Sequence, residues 1–212
     1  MGSVASEKML YGMGVIVGVI IIFVLFVVCD QKSTDERKEE MVGNQTDIVN
    51  ACVEDINTKG FDIMYYGEDL SAPSSLIVRR VYGFQHDTVF GPAARKECRG
   101  HMIIINDPYG RVVIDNDQIH DLADRVKKDQ VIFVYLGTNL ASRFDQEGIG
   151  AGATSSKSFL VNKKLQSVFD GIADDTAFIP SPLSQTLSEE QIPVYALIMN
   201  LSKNSAYARI WD

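Results

Sequence analysis

The chain has 212 residues, a formal net charge of −8 and three cysteines. An odd cysteine count excludes a disulfide framework as the basis of the fold. With no basic stripe to grip phosphates, nucleic acid is not an expected partner.

In chain order the first feature is Met9 to Cys29, MLYGMGVIVGVIIIFVLFVVC, which carries no charge. As a helix it is about 30 Å long, the thickness of a bilayer's hydrocarbon core. A helix satisfies its own backbone polar groups in lipid, so the Val and Ile content does not argue for strand there. The run is longer than the apolar core of a signal peptide, and Val27 and Val28 precede Cys29 where small residues would mark a cleavage site. Leu25 is in place for a lipoprotein-type cut, but bulky Val28 is not. The sequence therefore predicts an uncleaved transmembrane helix over 9–29 behind a short tail over 1–8, with the lipid bilayer as a partner. Gly14 and Gly18, four apart, leave one face of this helix nearly bare and open to self-association. Lys32, Arg37 and Lys38 outnumber Lys8 across the run, which points to a cytoplasmic domain at the cell membrane. Two Asn-x-Ser/Thr acceptors, at Asn44 and Asn200, would have meaning only on the other side.

Residues 30–45 begin DQKSTDERKEE, whose Asp35/Glu39 and Glu36/Glu40 pairs repel at helical spacing, and read as a charged linker. The charge divides into zero for residues 1–29, −2 for 30–40 and −6 for the rest. What remains, 46–212, is long enough for one domain with a real core.

That domain opens with Ile48, Val49, Cys52, Val53 and Ile56 on one helical stripe, capped by Thr46 and stopped at Gly60. FDIMYY (61–66) suits a strand. Pro73 and Gly83 bracket an expected short helix, since a strand over LIVRRV would turn Arg79 or Arg80 inward. MIIIN (102–106), the turn Asp107-Pro108-Tyr109-Gly110 and Arg111 to Ile114 predict a hairpin. Ile119, Leu122, Ala123 and Val126 predict a helix capped from Asp115, Asn116 or Asp117. VIFVYL (131–136) has no polar alternation, as in a strand covered on both faces, and completes a βαβ unit.

Beyond it Thr138 caps a short helix with Leu140 and Phe144, and Gly148, Gly150 and Gly152 form an irregular stretch. Val161, Leu165, Val168 and Phe169 predict an amphipathic helix, a long connection spans 174–193, and VYALIM (194–199) predicts a second core strand. The tail, with Tyr207, Ile210 and Trp211, is apolar enough to dock. The expected fold is α/β: one N-terminal transmembrane helix followed by a single three-layer, Rossmann-like domain with a mixed sheet.

Chemistry is harder to read. GIGAGATSSKS offers backbone amides and Lys157 to an anion, yet Ser156 stands where a phosphate loop needs Gly, and no strand leads straight into it. Gly137, Thr138 and Asn139 sit at the carboxyl end of an apolar strand, where open α/β sheets bind ligands. These three, with Gly148, Gly150, Gly152 and Lys157, are the candidate ligand residues. Cys98 and His101 have metal-ligand spacing but lack a second pair, so neither a metal nor a cofactor is expected. A Cys98–His nucleophile system is not assembled by spacing, and His86 and His120 each merely precede an Asp. Asp69-Leu70-Ser71 is similar to the opening of the metal-binding loop of von Willebrand A domains. Pro73 replaces that loop's second serine, and the stretch between hairpin and next strand is too short, so no membership follows. The function expected is a non-catalytic binding or interaction module with a protein partner. The alternative is a membrane-tethered hydrolase or nucleotide-binding enzyme using the groove near Gly137 and the loop 148–152.

Overall fold

A computed structural model describes residues 43–96, 98–137, 139–152, 158–162, 167–170, 179 and 183–202. The chain divides into two units, Met1–Asn44 and Gln45–Asp212, and nearly all described residues belong to the second. The expected membrane helix, most of the linker, Thr138, Lys157 and the apolar tail lie outside the described residues. Among the described residues no helix is long and apolar enough to cross a membrane.

Helix α1, residues 43–55, is already formed ahead of Thr46, so Thr46 does not cap it. Of its expected stripe, Val49, Cys52, Val53 and Ile56 are buried, all at or below 3% exposure, while Ile48 is 44% exposed. It leaves through a π turn, Ile56–Gly60, in which the Phe61 N–H donates to the Ile56 carbonyl. Strand β1, Phe61–Gly67, follows directly.

The helix expected after Pro73 is absent. Pro73 starts only a turn, with the Leu76 N–H 2.9 Å from its carbonyl, and Val78–Arg80 form strand β2, parallel to β1. An inward arginine argued against this strand, and the structure shows how the arginine is accommodated. The Arg79 guanidinium bonds Asp62 Oδ2 and the Thr88 and Val89 carbonyls, each at 2.9 Å. Helix α2, His86–Phe90, supplies those two carbonyls.

Strand β3, Gly100–Asp107, pairs in parallel with both β1 and strand β4, Ile132–Gly137. The expected hairpin therefore cannot form, because β3 has no free edge for a returning strand. The Asp107–Gly110 turn is present, with Gly110 at φ +65, but residues 111–115 run on irregularly to the next helix. That helix, α3, Asn116–Lys128, has a capping box between Asp115 and Gln118 and buries Ile119, Leu122, Ala123 and Val126 as anticipated.

Helix α4 spans Ala141–Gln146. The amphipathic helix expected around 161–169 is replaced by strands β5, Ser158–Asn162, and β6, Ser167–Asp170. They pair antiparallel, Leu160 opposite Phe169 and Val161 opposite Val168, and β5 adds antiparallel to β4. The apolar run at 194–199 is also reversed in type. It lies in helix α5, Ile192–Leu201, with Pro193 in its first turn and seven of its ten residues buried. A helix buried all round has the same continuous apolar pattern as a buried strand.

The sheet is thus six-stranded and mixed, ordered β2-β1-β3-β4-β5-β6, and the fold is α/β. One face packs Met64, Ile103, Ile105, Phe133, Tyr135 and Phe159 against Val89, Leu122, Val126 and Phe144 of α2, α3 and α4. Alternation sends Ile63, Met102, Ile104, Ile132, Val134 and Leu160 to the opposite face, where they too are buried.

Candidate functional site

After β1 the chain adds β2 on one side, and after β2 it crosses back to place β3 on the other. The crossovers diverge at the carboxyl ends of β1 and β3, the place where open parallel sheets bind ligands. A cleft of about 950 Å³ lies there. Its floor is the ends of β1, β3 and β4, including Asn106, Leu136 and Gly137, and its walls are the loop after β1, the Pro108-Tyr109 turn and the residues leading into α5.

The loop after β1 is tied in place by backbone and amide bonds. Gly67 adopts φ +103, a region open to glycine, which lets the Glu68 N–H reach the Asn106 carbonyl at 2.9 Å. The Asn106 amide in turn donates to the Glu68 and Asp69 carbonyls. With the backbone held, Glu68 and Asp69 line one wall. Arg80 bonds both Asp69 Oδ1 and the Gly67 carbonyl at 2.8 Å. Burial, and then the neighbouring Asp69 charge, push the Tyr65 hydroxyl above its usual range, and that hydroxyl donates to Asp69.

Glu189 and Glu190 face them from the segment before α5. Glu190 is oriented by two hydroxyl donors, Tyr109 at Oε1 and Ser71 at Oε2. The cleft is therefore rimmed by four carboxylates, of which only Asp69 has a basic partner among the described residues. Serines 71, 158 and 188 also line it; the three histidines do not.

The residues expected from sequence are distributed unevenly. Gly137 lies in the cleft lining, while Thr138 and Lys157 lie outside the described residues. Asn139 is adjacent but turned to structural use, donating from its side chain to the Gly110 carbonyl at 3.1 Å. Gly148, at φ +69, abuts Lys127, and Gly150 lies against Asp145, whose Oδ1 accepts the Gly152 N–H at 2.8 Å. That loop is fastened to α4 and does not line the cleft. Glu68, Asp69, Glu189 and Glu190 were missed. Their only signal is the recurrence of paired acids in two segments, which the fold alone brings together.

Elsewhere the titratable groups are structural. Cys98 Sγ donates to the Arg95 carbonyl, and His101 Nδ1 lies 3.2 Å from Asp62 Oδ2. Burial pushes Asp62 up, but the hydrogen bonds from His101 and Arg79 and the guanidinium charge outweigh it and hold the carboxyl below its usual value. Burial raises the Cys52 thiol, and both Cys52 and Cys98 are free. Among the described residues no three Asp, Glu, His or Cys side chains gather as a metal site. Asp69 and Ser71 do reach the cleft, but Arg80 and Glu190 already hold them.

Comparison of the chain with protein-family models, with curated proteins and with solved structures finds no match. The fold defines an α/β protein with a mixed sheet, and the site must be read from its own geometry.

Proposed function

We propose that the chain is a single-pass membrane-anchored binding module whose cleft at the ends of β1, β3 and β4 receives a cationic group. The observation that carries this reading is the carboxylate rim of Glu68, Asp69, Glu189 and Glu190 around a cleft at the sheet's switch point. Such a rim attracts an ammonium or guanidinium and repels a phosphate, which disfavours the nucleotide-binding alternative. The anchor is Met9 to Cys29, read from its length and lack of charge. Three layers complete the architecture, since α1 and α5 carry buried apolar stripes outside the first core cluster and suit the second sheet face.

The test is thermal melting of the detergent-solubilised full chain, diluted until it is monomeric, with agmatine, a guanidinium probe, and with ATP and p-nitrophenyl phosphate as contrasts. Agmatine should raise the melting temperature, less so at high salt and not in Glu189→Gln/Glu190→Gln, because a ligand that binds the native state stabilises it. A shift with the phosphate compounds and none with agmatine would overturn the reading in favour of the enzyme.

A further inference from the structure

Beside the acidic cleft lies a second hollow of about 350 Å³ of opposite character. Glu68 lines both, so the two share a wall. The second hollow is lined by Arg80, Arg111, Tyr82 and Val113. Tyr82 is 81% exposed and Val113 85%, two of the five large apolar side chains that stand in solvent among the described residues. Tyr109, 53% exposed, continues this surface, with the Arg111 guanidinium 4.9 Å from its ring centroid.

The two arginines differ in what they have left to give. Arg80 is ion-paired with Asp69 and sits against the Tyr65 and Tyr82 rings at 5.7 and 5.8 Å. Among the described residues Arg111 has no carboxylate within ion-pair reach, and Glu68, Glu189 and Glu190 have no basic side chain. One surface thus holds charges of both signs, side by side, that are not ion-paired with one another.

Adjacent patches of opposite sign satisfy each other when a second copy is turned about a two-fold axis, the arrangement of an isologous interface. Exposed tyrosines and arginine are the side chains enriched where such interfaces bury surface. Resting on the cation-accepting reading of the cleft, we propose that its occupant is Arg111 of a second copy of this chain. Each copy inserts its guanidinium at the other's carboxylate rim and covers Tyr82, Tyr109 and Val113.

The experiment is sedimentation velocity of the detergent-solubilised full chain, run also with Gly14→Leu/Gly18→Leu to separate any association through the anchor. The wild type should dimerise with or without those changes. Arg111→Glu alone, and Glu189→Arg/Glu190→Arg alone, should each weaken the dimer by at least about tenfold, since each sets like charges together twice. An equimolar mixture of the two variants should recover the dimer, because both contacts are then of opposite sign. A wild type that stays monomeric, a dimer indifferent to these variants, or a mixture that stays apart would overturn the proposal. Agmatine separates the two readings: a monomeric wild type stabilised by agmatine keeps the cation cleft and loses the dimer. Failure of agmatine to stabilise even Arg111→Glu, whose cleft is open, loses the cleft itself.

Discussion

Tyr135→Phe removes a single oxygen from the core, and the structure sets how much that should cost. The Tyr135 hydroxyl accepts the Asn139 N–H at 3.0 Å and the Leu140 N–H at 2.9 Å. Leu140 precedes α4 and has no side-chain cap of its own, so this phenol from the neighbouring strand takes the place of a capping residue. Asn139 is exposed and water can replace its lost acceptor; Leu140, 5% exposed, has no such recourse. A buried amide left unsatisfied costs about 1–3 kcal/mol, and with a smaller loss at Asn139 we expect about 2–3 kcal/mol in all. At roughly 2–4 °C per kcal/mol for a domain of this size, melting should fall by about 4–12 °C. A Cβ on Gly137 would meet this oxygen and also the ring carbons Cζ and Cε2, at 2.5 and 2.6 Å. Gly137→Ala should therefore be costly in the wild type and, because the ring carbons stay, in Tyr135→Phe as well, which urea denaturation of the single and double variants would read. If Tyr135→Phe melts within about 1 °C of the wild type, or Gly137→Ala is tolerated in Tyr135→Phe, the assignment of this hydroxyl as cap and of its ring as spacer is wrong.

Asp62 predicts an acid limb in the stability profile. Its carboxyl is lowered in the folded state from 3.8, so its contribution is complete above the unfolded value and is lost as pH falls through the folded one. Urea midpoints should show Asp62→Asn less stable than the wild type near neutrality, with the gap closing below about pH 4. Ile20→Lys/Ile21→Lys should release the chain from alkaline-washed membranes, since each central lysine costs roughly 2.5–3.5 kcal/mol in insertion; continued sedimentation would remove the anchor from the account.

Where local chemistry decides an element, the sequence is a good guide. Most of the α1 stripe, the α3 stripe, FDIMYY and the βαβ unit through β4 are legible from hydrophobic period, and in α3 the cap agrees with it. The failures share a cause: the deciding contact is remote in sequence. Val78–Arg80 is a strand because Asp62 and α2 take the two terminal nitrogens of Arg79. Residues 111–114 are not a strand because β1 and β4 already flank β3. The stretch around 161–169 is two strands because β4 leaves an edge for β5. For the site, Gly137 was legible from the rule about strand ends, while the four carboxylates were not. Glu68 and Glu190 are 122 positions apart in the chain, and no spacing announces that the segment before α5 folds over the end of β1.

The two ends of the sheet treat charge in opposite ways, and this is the physical reason to place function at the carboxyl end. At the amino end the cations are consumed by the fold. Arg79 pairs with Asp62, which also meets the His101 ring, Arg99 pairs with Asp55, and Arg95 donates to the Ile56 and Phe61 carbonyls. Most of these side chains are at least partly buried, so removing one partner strands the other at a cost of several kcal/mol. At the carboxyl end Glu68, Glu189, Glu190 and Arg111 stand without counter-charges among the described residues. The fold closes one end with ion pairs of its own and leaves unpaired charges at the other, where we propose that a partner completes it.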